Sequence, residues 1–221
     1  MKILSTFLAI AASVGIASGA AIFTPGDTVF GGQLVGANFE VGVAGFDQLA
    51  NNWPDGESPD HAIDGVGQKY LNFANLDSGI VGTPSAGSSV ATSITLWTAN
   101  DADPRDPASY SLYGTNVALG GGPFALADFT LIASGALALP LSRNGGGNTP
   151  LDPANSQTIN FANNNAYSSY MIVFPTLRDD PNANSMQIAE IQLDGRIIPE
   201  PSAGLLALLG VAPLLLRRRR K

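Results

Sequence analysis

The side chains best suited to recognise a ligand are crowded into one stretch. Asn100, Asp101, Asp103, Arg105 and Asp106 all fall between positions 100 and 106. Amide, carboxylate and guanidinium groups at this density can bind a cation or exchange hydrogen bonds with saccharide hydroxyls, with Arg105 as a bidentate donor. Asn100, Asp101 and Arg105 are therefore candidate ligand-binding residues. The bland alternative is that Arg105 pairs with a neighbouring aspartate while Pro104 and Pro107 stiffen the loop. Trp53 is a further candidate. It lies in the polar run Asn51-Asn52-Trp53-Pro54-Asp55-Gly56, where an exposed indole could stack on a sugar ring and a buried one would cap a β-sandwich.

Catalytic chemistry finds little support. His61 is the sole histidine, so a histidine-rich metal site cannot be assembled, and next to Asp60 and close to Asp64 it reads most simply as a loop residue. Asp179-Asp180 and the pair Asp101 and Asp103 are too close in sequence to face each other across a glycosidase cleft. No nucleophile elbow, phosphate loop or zinc-binding helix motif is present. With no cysteine, thiol chemistry and a disulfide scaffold are excluded. The expectation is a protein that is not an enzyme.

The elements that must position these residues read as strands. Ser93 to Thr98, Ser109 to Tyr113, Phe129 to Ile132 and Gln187 to Leu193 alternate with a period near two, and Met171 to Phe174 is an apolar run of strand length. Glycine and proline punctuate the chain at short intervals, and no stretch of the body carries a sustained 3.6-residue pattern. An all-β antiparallel sandwich is the expected fold.

The ends differ from this body. Met1-Lys2, an apolar run from Ile3 to Ile16 and the small residues Ala17 to Ala21 have the form of a signal peptide, with cleavage expected near Ala20. An N-terminal membrane anchor is the less economical alternative. At the other end Pro199-Glu200-Pro201 is followed by an apolar segment, Ala203 to Leu216, and then by Arg217, Arg218, Arg219, Arg220 and Lys221. As a helix that segment is ~21 Å long against ~30 Å of hydrocarbon core, so it spans poorly alone, and the cations would keep that end cytoplasmic. This arrangement resembles the PEP-CTERM sorting signal, and the resemblance implies a transient membrane helix and cleavage by an exosortase-type protease. The alternative is a plain tail anchor. The division expected is therefore 1–20 signal peptide, 21–198 domain and 199–221 sorting segment. Residues 21–198 hold only five of the eleven bases and every acid but Glu200, which argues against nucleic acid as a partner and suits an exported protein.

One order of motifs is recognisable across the body: Glu57-Ser58-Pro59-Asp60-His61-Ala62-Ile63-Asp64-Gly65, Lys69-Tyr70-Leu71-Asn72-Phe73, Arg105-Asp106-Pro107-Ala108-Ser109-Tyr110, Leu112-Tyr113-Gly114-Thr115-Asn116 and Met186-Gln187-Ile188-Ala189-Glu190-Ile191. It resembles the discoidin, or coagulation-factor type C, group of galactose-binding-like domains. The resemblance implies a jelly-roll β-sandwich with weak carbohydrate or exopolysaccharide recognition at the cell surface or in an extracellular matrix. It also implies a structural calcium held by Asp64 and Glu190 together with backbone carbonyls. The alternatives are a purely structural surface protein and, at Asp64, an ordinary Asx-turn with Glu190 solvated.

Overall fold

The computed structural model describes residues 19–47 and 51–199. The expected signal helix, Glu200, Pro201, Arg217, Arg218, Arg219, Arg220 and the apolar segment before them lie outside the described residues. Among the described residues there is no α-helix, only 3-10 turns, and no helix long and apolar enough to cross a membrane.

The described residues form thirteen strands: β1 Ala20–Ala21, β2 Thr28–Val35, β3 Asn38–Val41, β4 Tyr70–Asn72, β5 Ser78–Thr83, β6 Ser89–Trp97 and β7 Ser109–Thr115, then β8 Phe124–Ala125, β9 Thr130–Ala136, β10 Ser156–Asn160, β11 Ser169–Phe174, β12 Met186–Ile188 and β13 Glu190–Ile197. They make a four-stranded sheet ordered β1-β13-β6-β10, a seven-stranded sheet ordered β8-β3-β2-β5-β11-β7-β9, and a two-stranded ribbon β12-β4. Every paired strand is antiparallel. The fold is the expected antiparallel sandwich of jelly-roll type.

The apolar run at Met171–Phe174 has a physical cause. Ile172 and Phe174 face inward, against Ile94, Leu96, Ile191 and Leu193 of the smaller sheet. Met171 and Val173 face outward, where Phe39, Val81, Phe124 and Phe129 make a second apolar layer. A strand buried on both faces has no polar side to alternate with. The expected strand Gln187 to Leu193 is broken at Ala189 instead. There the backbone N–H bonds the Trp97 carbonyl, and the chain leaves the ribbon partner β4 to join β6.

Of the two readings of Trp53, a binding ring or a buried cap, the structure shows the buried one. It is buried, belongs to the main core and meets Tyr70 edge-on, with centroids 5.9 Å apart. Its backbone holds it there: Ala44 bridges to Trp53, Gly45 N–H bonds the Trp53 carbonyl, and Phe73 N–H bonds that of Asn52. Burying so large a ring is favourable enough to draw a polar segment across the sheet. Trp53→Ala is expected to cost about 3–5 kcal/mol, read as a marked fall in the urea or thermal midpoint. A ring serving only as a binding platform would leave the midpoint unchanged.

Candidate functional site

Three long loops meet at one end of the sandwich: residues 98–108 after β6, 137–155 after β9, and 175–185 after β11. Asp106 joins them. Its carboxylate is fully buried and accepts a bidentate pair from Arg143, Nη1 to Oδ1 at 2.8 Å and Nη2 to Oδ2 at 2.7 Å. Arg178 Nη2 stands 3.1 Å from Oδ2. The backbone reinforces the same junction, since Arg178 N–H donates to the Asp106 carbonyl and Asp179 N–H to that of Pro104. A planar guanidinium suits such two-point contact with a carboxylate.

Within this frame the candidates from the 100–106 stretch divide. Asp101 is held by Lys69, whose Nζ donates at 2.9 and 3.0 Å to its two carboxylate oxygens and lies 3.5 Å from Glu57. Lys69 is itself buried. Gln187, fully buried in the middle of β12, donates its amide to the Asp101 and Ala102 carbonyls. Asn100 is exposed and Arg105 half-buried, and among the described residues neither side chain has a hydrogen bond or ion pair. The expectation that Arg105 pairs with a neighbouring aspartate therefore gives way: the neighbouring Asp106 is taken by two arginines from other loops. Trp53, in the core, contributes no exposed ring to this surface.

Asp64 and Glu190, far apart in sequence, converge. Asp64 Oδ1 accepts from Val66 N–H at 2.9 Å, closing an Asx-turn, and its Oδ2 lies 3.0 Å from His61 Nδ1. Glu190 is buried, not solvated, and its Oε2 accepts from Gly65 N–H at 3.0 Å. Gly65 has φ +77°, a conformation that costs glycine no Cβ clash. Among the described residues no cluster of three or more histidine, cysteine, aspartate or glutamate side chains is placed to hold a metal. A calcium here would draw on these two carboxylates and otherwise on backbone carbonyls or water.

Lys69, Arg143, Arg178 and Gln187 were not singled out as site residues from the sequence. A usable signal existed: in a body with five bases, those standing in turn-rich segments are good candidates for anchoring loops. A separate cavity of about 200 Å³, lined by residues including Leu119, Gly121, Phe124 and Asp128, opens beyond the other end of β7 and contains none of the expected residues.

No family model matches the chain, and no curated protein matches it. Solved structures do. The family 32 carbohydrate-binding module of Clostridium perfringens NanJ, solved with galactose, has a TM-score of 0.48 at 14% identity, covering 80% of this chain and 98% of that one. The family 32 module of Streptococcus pneumoniae EndoD has a TM-score of 0.49 at 11% identity, covering 79% and 98%. A chitosan-binding module from a Paenibacillus chitosanase/glucanase has a TM-score of 0.46 at 12% identity, covering 79% and 98%.

Two predictions follow from the geometry. Removing the Asp106 carboxylate leaves two guanidiniums facing a buried void, so Asp106→Ala is expected to cost about 3–5 kcal/mol, measured by denaturant unfolding. The second concerns pH. Burial pushes the Glu190 carboxyl up to about 8, with the Asp64 charge adding to the rise and the Gly65 N–H opposing it. With chelator present, the folded chain then keeps a proton that an unfolded glutamate, at 4.5, has already lost. Where the folded state binds more protons, stability falls as pH rises. The melting temperature should therefore decline between about pH 4.5 and 8, and Glu190→Gln should flatten that decline.

Proposed function

We propose that this chain is an exported, non-catalytic module that binds carbohydrate weakly through the loop end carrying Asn100, Asp101 and Arg105. One observation carries the reading: the 100–106 loop is clamped by Lys69, Gln187 and the Asp106 junction, yet Asn100 and Arg105 keep free polar groups. A loop already ordered gives up little entropy on binding, and free donors and acceptors at fixed positions are what a polyhydroxyl ligand needs. The resemblance to discoidin-type domains supports the same reading.

Export and sorting belong to this proposal and rest on sequence: the signal-like start, and Pro199-Glu200-Pro201 with its apolar and arginine-rich sequel as substrate of an exosortase-type protease. The destination is the cell envelope, outer surface or extracellular matrix. One structural limit bears on processing. Ile22 is fully buried and its N–H bonds the Leu193 carbonyl, so cleavage compatible with the fold falls no later than Ala21.

A structural calcium is the remaining part, held by Asp64 and Glu190. Its role would be to join the Asp64 turn to β13 by neutralising two neighbouring carboxylates.

The reading is tested by retention of the full chain on a panel of insoluble and immobilised polysaccharides. Binding to at least one is expected, with Asn100→Ala and Arg105→Ala each weakening it about tenfold, the equivalent of about 1.4 kcal/mol. No retention on any polysaccharide would sink it and favour a purely structural role. For calcium, a hundredfold excess over Kd adds about 2.7 kcal/mol, seen as a rise in Tm that a chelator reverses and that Asp64→Ala and Glu190→Ala abolish.

A further inference from the structure

The segment between β7 and β9, residues 116–129, lies over the outer apolar layer of the seven-stranded sheet. Thr115 closes its neck from both sides: the Val117 N–H donates to Thr115 Oγ1 at 3.0 Å, and that hydroxyl donates to the Asp128 carbonyl at 2.7 Å. Beyond the neck the chain is fixed by the pairing of β8 with β3 and by the Leu126 N–H on the Ala37 carbonyl. Phe124 and Phe129 are buried in the outer layer, and Phe124 meets Phe30 edge-on with centroids 5.4 Å apart. A segment anchored at so many points holds its shape.

It nevertheless leaves a space. Every residue lining the cavity of about 200 Å³ comes from positions 117–129 of this one segment. The lining is apolar, with Leu119, Phe124 and Phe129 among its walls, and Asp128 is its one ionisable residue. No lining side chain carries a hydrogen-bond donor. Asp128 is exposed, and among the described residues no donor or cation reaches its carboxylate. At ~30 Å³ for each water-sized group, the space holds about seven.

We propose that this cavity binds a small aliphatic ammonium ion, its chain against the apolar walls and its charge met by Asp128. An ammonium group has three donors and no acceptor, which complements side chains that only accept. Its stem can cover apolar surface while the charged head stays at the wet rim, as a lysine side chain does. Aromatic walls favour a cation over an anion, and an anion would also face the Asp128 charge. A saccharide brings hydroxyls that seek donors as well as acceptors, and here the side chains offer none. The cavity stands at the opposite end of β7 from the 98–108 loop, so the inference is independent of carbohydrate binding.

The test is titration of the isotope-labelled full chain, followed by amide resonances, with three ligands of one shape: pentylammonium, pentanol and pentanoate. Pentylammonium is expected to shift the Gly120, Gly121 and Asp128 signals saturably and to bind at least about fivefold more tightly than pentanol, while pentanoate leaves those signals in place. An acidic body attracts any cation weakly, so Asp128→Asn is the deciding variant. It should bring ammonium and alcohol to within about twofold of each other. Tm should not move, because the side chain is exposed and the neck bond uses the backbone carbonyl. Asp128→Glu should keep the preference. Equal binding of ammonium and alcohol, a preference that survives Asp128→Asn, shifts spread over the surface, or no saturable binding each overturns the inference and leaves the carbohydrate reading untouched.

Discussion

The buried Asp106 carboxylate is the point on which the loop end depends. A sandwich with its core between two sheets has no intrinsic reason to order long glycine- and asparagine-rich connections at its end, because such segments bury little apolar surface. Here one desolvated anion recruits two guanidiniums from separate loops, and those guanidiniums also donate to the carbonyls of residues 139–141. The desolvation of such a group is offset only when its partners are close and well oriented. Bidentate contact from Arg143 and a second contact from Arg178 meet that condition. The junction therefore tolerates little displacement in any of the three loops.

Lys69 makes a second junction of the same kind on the other flank. It stands just before β4, and through Asp101, Glu57 and Gln187 it ties the ribbon to the 100–106 loop. The ribbon reaches this position because the chain changes partner at Ala189: Gln187 stays with β4, and Glu190 opens β13 beside Trp97. One irregularity in the last strands thus delivers Gln187 to the polar loop and Glu190 to the Asp64 turn. The two carboxylates brought together there repel each other, and burial of Glu190 sharpens the conflict. Protonation of Glu190, whose carboxyl burial pushes up, relieves it.

The strands that were legible in the sequence are those with a simple relation to solvent. In β7 the alternation shows one face inward, and in β11 the unbroken apolar run shows both faces covered; β6 alternates in sequence although Ile94 to Trp97 are all buried, and on β9 Leu131 is exposed. β2 and β5 were less visible because Gly31, Gly32, Gly79 and Gly82 interrupt the pattern. Those glycines stand where another chain segment comes too close for a Cβ: Gly31 against Pro59 and Tyr70, Gly32 against the Glu40 carbonyl, Gly79 against the Ile172 carbonyl and Gly82 against Phe23. Such proximity is a property of the assembled sheets and leaves no periodic trace.

By itself the sequence determined the all-β class, the absence of cysteine chemistry and the general location of the polar loop, because these follow from residue type and local spacing. The tertiary structure decided the rest. Polar neighbours placed Trp53 in a loop, and only the packing of that loop across the sheet put its ring in the core against Tyr70. Arg105 was the obvious local partner for Asp106, but a carboxylate buried at the meeting of three loops is satisfied by the guanidiniums that reach it in space, those of Arg143 and Arg178. Ion pairs and burial are set by distances across the fold, and a linear chain carries no local signal for them.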